Sequence, residues 1–194
     1  MIAGHFGFAA AVKSKAPNVP LWLLMVACQW LDIVFVPLVA FGVEGLEPIS
    51  GVKSPGYGEV IIHADYTHSL VGAALLSLLF GAVAAWRYGR RSGVILGLVS
   101  MSHWLLDLFM HRADMPLLPG NAGDFPRLGF GLWRSPAAAG GLELAFVVVG
   151  AVLYWRAARQ VAETDGAQIK RANLCGALAL GFGVLTLALD LAGL

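Results

Sequence analysis

"SHWLLDLFMHRADMPLLPG", residues 102–120, closes an apolar run that begins near residue 92, and its reading decides the fold. It places His103, Asp107 and His111 at spacings of four. Residues four apart on an α-helix differ by about 40° and about 6 Å of rise. Two imidazoles and a carboxylate therefore line one face of a segment otherwise suited to hydrocarbon. Ionisable groups in such a segment are costly, and they are usually paired or functional. The spacing admits two readings. A His–x3–Asp pair can reach one ion, since imidazole nitrogen and carboxylate oxygen both bind Zn²⁺ at about 2.0–2.2 Å. The same column could instead be a hydrogen-bonded seam between helices.

The rest of the chain has the same character. Of 194 residues, 58% are hydrophobic and 13% charged, against about 25% charged in soluble domains. Apolar segments lie near 20–42, 66–86, 92–110, 137–155 and 172–194. Each is about 19 to 23 residues, enough to cross a hydrocarbon core of about 30 Å. "MIAGHFGFAAAVKSKA" is shorter, and Lys13 and Lys15 follow its apolar part, the reverse of a signal peptide. The sequence thus predicts an all-α, polytopic integral membrane helical bundle in one domain, 1–194. It has five long transmembrane helices plus a short N-terminal helix, re-entrant or a sixth span. A net charge of +1 speaks against a nucleic-acid partner. Cys28 and Cys175 lie in apolar runs and read as small buried hydrophobes. Gly93 and Gly97 form one GxxxG, read as close helix packing.

Positive charge in short loops marks the cytoplasmic side. Lys13 and Lys15, then Arg87, Arg90 and Arg91, then Arg156, Arg159, Lys170 and Arg171 fall on one side under alternating topology. Loops 43–65 and 111–136 fall on the other. They carry acidic residues and also Lys53, Pro48, Pro55, Pro116, Pro119, Pro126 and Pro136, a composition that predicts ordered turns rather than helices. They are expected in the periplasm, with the protein in a bacterial inner membrane. "ARQVAETDGAQIKRA" reads as a longer polar connection on the cytoplasmic side.

With that orientation, Asp32, His68, His103, Asp107, Glu143 and Asp190 all fall in the outer half of their segments, and His5 joins them if its helix spans. Buried carboxylates such as Asp32 and Asp107 would be driven toward neutrality unless a cation lay between them. The candidate metal ligands are His5, Asp32, His68, His103, Asp107 and His111, with Glu143 as a further ligand or general base. Each has a bland alternative. Asp32 could pair with an Arg or Trp, His68 could merely adjoin a helix start capped by Thr67 or Ser69, and His111 could sit at the interface. His63 and Asp65 read as solvated loop residues, and Asp190 as an interfacial carboxylate. Arg112, Arg127 and Arg134 could bind phosphate oxygens or anchor the interface.

"THSLVG", "SHWLLDLFMHRADMPLLPG", "AGHFGFAAAVKSKAPNVPLWLLMVACQWLDI" and "RLGFGLWRSP" resemble bacterial membrane-bound metal-dependent hydrolase-like proteins over roughly residues 1–155. That group is distantly similar to the zinc-dependent phospholipase C and nuclease superfamily, whose helices supply His, Asp, His, then His–x3–Asp, then His–x3–Glu to a zinc cluster. The resemblance places His103 and Asp107 on the His–x3–Asp, Asp32 on the Asp, and His5 or His68 on a preceding His. The His–x3–Glu is broken, because Ala139 stands four residues before Glu143. It therefore implies one or two divalent ions, zinc by preference. It also implies hydrolysis of a phosphate ester such as a lipid headgroup, with membrane lipids as partners. Two other classes remain open from sequence: a transporter or ion pathway using intramembrane His and Asp, and a non-enzymatic protein stapled by a metal or polar cluster.

Overall fold

A computed structural model describes residues 1–49, 57–163 and 165–193; Lys53 and Pro55 lie outside the described residues. The chain runs α1 (Ile2–Lys15), α2 (Leu21–Cys28), α3 (Trp30–Ala40), β1 (Gly45–Pro48), β2 (Val60–His63), α4 (Leu70–Tyr88), α5 (Arg90–Met110), α6 (Pro136–Ala162) and α7 (Gly166–Ala192). The last four helices are long and apolar enough to cross a membrane. Their outward faces are apolar, with Trp86 86% and Leu78 69% exposed. A soluble bundle buries such side chains, whereas a lipid solvent accepts them. These helices mark a membrane protein.

The segment 20–42, expected as one helix, is two. α2 and α3 meet at Gln29 with a 50° bend. Asp32, expected just past mid-helix, therefore sits in the first turn of α3. The polar stretch expected as a long connection is helical almost throughout. α6 and α7 extend into it, and Asp165 caps α7 by accepting from the Ala167 and Gln168 amides. Those two amides hold the Asp165 carboxyl below the usual range. The outer loops hold more than turns. β1 and β2 form an antiparallel hairpin, Gly45 opposite His63 and Pro48 opposite Val60. Two short 3-10 turns, Pro119–Asn121 and Leu132–Arg134, fold the second loop back.

α1 is the interior element. Its 14 residues span about 21 Å, short of a hydrocarbon core of about 30 Å. It packs against α6 along most of its length, and also against α2 and α7. The approach is backbone to backbone. A Cβ on Gly150 would strike the Gly7 carbonyl, and one on Gly7 would strike the Phe146 carbonyl. Small residues at helix crossings allow this proximity in membranes. The α4–α5 crossing is built likewise, Gly93 lying against Gly81 and Ala85, with Ser77 and Ser100 hydroxyls bonded at 2.9 Å. The expected packing role of Gly93 is what the crossing displays.

Because α1 meets α6 backbone to backbone at this point, Gly150→Leu is expected to cost about 1–3 kcal/mol or more. The check is the thermal unfolding midpoint in detergent, which should fall clearly, while Gly141→Leu, open on all sides, should leave it within error.

Candidate metal centre

Four elements deliver side chains to one end of the bundle. α5 is the backbone of the arrangement: His103 and Asp107 are one turn apart on its buried face, and His111 is its C-cap. His5 comes from the start of α1, Asp32 from the start of α3, and His68 from just before α4. Ser69, not Thr67, caps α4, accepting from the Gly72 amide at 3.0 Å. His5, His68, His103, Asp107 and His111 are buried, while the Asp32 side chain keeps 35% of its surface exposed. All six sequence-predicted ligands are thus brought together. The basic residues of the other connections stand at the far ends of the same helices.

Two triangles of donor atoms share one edge. His68 Nε2 lies 3.3 Å from His103 Nε2. Asp32 Oδ1 lies 3.4 Å from the first and 3.5 Å from the second. On the other side Asp107 Oδ2 is 3.0 Å from His103 Nε2, 3.7 Å from His68 Nε2 and 3.8 Å from His111 Nε2. Donors about 2.0–2.1 Å from a tetrahedral zinc stand roughly 3.3–3.4 Å apart. The Asp32–His68–His103 triangle has that size and near-equal edges. His5 Nε2 completes the group at 3.1 Å from Asp107 Oδ1, its ring stacked on His103 at 3.9 Å. The Met1 amine is 3.5 Å from the same oxygen. His5, His103 and Asp107 form one potential ligand set, and Asp32, His68 and His103 another.

The outer nitrogen of three imidazoles shows which way the inner ones point. His103 Nδ1 is 2.7 Å from the Cys28 carbonyl, which can only accept, so Nδ1 carries the proton. The bend at Gln29 makes this possible, because Cys28 ends α2 and its carbonyl needs a partner. His111 Nδ1 is 2.9 Å from the Asp114 carboxylate, with the same consequence. His68 Nδ1 is 2.9 Å from Thr67 Oγ1, whose one hydroxyl proton is directed to Glu44 Oε2 at 2.9 Å. Thr67 must then accept from His68. In their neutral forms all three rings turn an Nε2 lone pair toward one another and toward two carboxylates. A shared cation, whether a metal ion or a proton, would satisfy acceptors so crowded, and hydrogen-bonded outer nitrogens are the usual support of metal-ligating histidines.

A cavity of about 440 Å³ opens beside the cluster, lined by Asp32, His68, Asp107 and His111 together with Tyr57, Trp133 and Asp190. Glu143 is fully buried. It accepts from the Tyr57 hydroxyl at 2.5 Å and from the Gly4 amide at 3.0 Å. Burial and that carboxylate hold the Tyr57 phenol above the ordinary tyrosine range. Glu143 therefore joins the outer loop, α1 and α6, and belongs to neither donor triangle.

The arginines divide. Arg127 is held by Asp65 through both carboxylate oxygens, at 2.5 and 3.0 Å, and by the Asp114 carbonyl. This pair raises its pKa and commits it to bracing the loop. Arg112 gives one hydrogen bond, to the Gly58 carbonyl, and its buried Nε has no partner among the described residues. Arg134 is exposed. His63 pairs with Glu47 on the hairpin surface, away from the cluster. Asp190, read as interfacial, lines the cavity. The residues sequence reasoning passed over are Glu44, Asp114 and Tyr57. Of these only Asp114 left a signal, three residues beyond His111 in the opening stretch.

No family model, curated protein or solved structure matches this chain. The centre is therefore read from its own geometry. Thr67→Val removes the oxygen that fixes the His68 tautomer, and is expected to weaken any zinc binding at this centre about 10–100-fold. Thr67→Ser should restore it. Calorimetric titration of chelator-treated protein measures both.

Proposed function

We propose that this chain is a multi-pass protein of a bacterial inner membrane that holds a divalent cation, zinc by its donor set, and hydrolyses a phosphate ester at the outer headgroup layer. Four spans are α4 to α7, and the bent α2–α3 pair counts as a fifth. α1 lies inside the bundle. Loops 43–65 and 111–136 face the periplasm, because the basic connections are gathered at the opposite end. The observation that carries the reading is the Asp32–His68–His103 triangle, whose edges of 3.3, 3.4 and 3.5 Å suit one small ion.

The donor chemistry favours one ion over two. With Nδ1 of His103 given to Cys28, only Nε2 remains, and one lone pair serves one ion. Two imidazoles and a carboxylate, with a position left open, are the ligand number of catalytic zinc sites. Such an ion supplies Lewis acidity and a bound water of lowered pKa. Asp32, the exposed member, places the open position toward the cavity. Asp107 links the triangle to His5 and keeps the buried charges balanced. His111 adds a further donor next to Asp107. Glu143 holds the cavity wall through Tyr57 and positions a water rather than binding the ion. Arg112 and Arg134 are the residues available to phosphate oxygens, since Arg127 is engaged by Asp65.

The test is elemental analysis of protein purified in detergent, paired with release of headgroup phosphate from phospholipid vesicles. About one zinc per chain is expected, lost together with hydrolysis in His103→Ala and Asp32→Asn. Equal metal content in parent and variants would sink the reading. Sidedness has its own check. A periplasm-active reporter should work when fused in the 120–123 turn and fail when fused at 88–90.

A further inference from the structure

The polar cavity continues along two helices. It reaches Ile2 on α1 and Asp190 on α7. A second cavity, of about 430 Å³, begins at Phe6 and Thr186, one turn further along the same two faces. It runs down to Cys175, with Met25 of α2 on one wall and Ala151 of α6 on the other. Gly7, Ala10, Ala179 and Gly183 keep it open. The Thr186 hydroxyl makes no demand on an occupant, since it donates to the Phe182 carbonyl at 2.9 Å. From Asp190 to Cys175 the α7 backbone descends about 22 Å.

Its width selects the occupant. A volume of about 430 Å³ spread over the roughly 16 Å between Thr186 and Cys175 gives a cross-section of about 26 Å². An α-helix, about 10 Å across, needs roughly 80 Å², so a whole helix does not enter the furrow. A single hydrocarbon chain does. The molecule whose polar end would enter the first cavity while its apolar end followed the second is an amphiphile standing in the outer leaflet.

We infer that the furrow between α1, α2, α6 and α7 is a binding slot for one acyl chain of a phospholipid whose phosphate stands at the Asp32–His68–His103 triangle. The inference rests on the hydrolase reading for the role of the phosphate end only. The slot itself is set by shape and apolarity, and it selects a long-chain phospholipid over water-soluble phosphate esters.

Native mass spectrometry tests it, on protein released from palmitoyl-oleoyl phosphatidylglycerol bilayers and stripped of metal by chelator. The parent should retain one phospholipid per chain. Ala179→Phe and Thr186→Phe, which plug the slot on separate turns, should lose it. Leu185→Phe, on the outward face of α7, should keep it. Unfolding midpoints near the parent's show that a plugged variant is folded. A parent that retains no phospholipid, or equal retention in plugged and control variants, overturns the slot. Because the protein is metal-free, failure of the hydrolase reading leaves this result unaffected: retained lipid with no bound zinc in the untreated protein would refute the hydrolase and leave the slot standing.

Discussion

The hydrogen bond from His103 Nδ1 to the Cys28 carbonyl is the constraint on which the arrangement turns. A continuous helix through residues 20–42 would commit that carbonyl to its own ladder. Bending at Gln29 releases it, and the bend also swings Asp32 into the first turn of a new helix, where it meets His68 and His103. One break therefore positions a ring, sets its tautomer and delivers a carboxylate. Pro37, the residue that sequence would suggest for a kink, lies inside α3 and is not the site of the bend.

Around this sits a layer of groups with no direct share in the cluster. Thr67 and Glu44 fix His68, Asp114 fixes His111, and Arg127 with Asp65 ties the outer loop across the top. The outward nitrogens of His68, His103 and His111 each have an acceptor, while His5 Nδ1 has none among the described residues. The inward nitrogens of those three rings face one another, the Asp32 and Asp107 carboxylates and, through Asp107, the Met1 amine. The asymmetry favours the proposed metal centre over a generic hydrogen-bond seam, in which donors and acceptors would alternate.

Much of this was legible in the sequence. The four long helices follow from apolar length, and the convergence of His5, Asp32, His68, His103, Asp107 and His111 follows from their shared depth. What was hidden has physical causes. The break at Gln29 carries no glycine or proline signature, because it is stabilised by an imidazole from another helix. The role of Glu44 depends on where a hairpin places a loop carboxylate, and no local pattern encodes that. The helical extension of α6 and α7 through polar residues leaves no trace in apolar length. A helix that leaves the hydrocarbon has no reason to stop there. Arg127 looked available because Asp65, its partner, lies 62 residues away.

The seating of α1 has a consequence for biogenesis. Its Gly4 amide bonds to Glu143 across 139 residues of chain, and its backbone rests on Gly7 and Gly150. The contact between α1 and α6 can therefore form only once α6 has been made. Until then the helix that carries His5 lacks the seat on which its backbone rests.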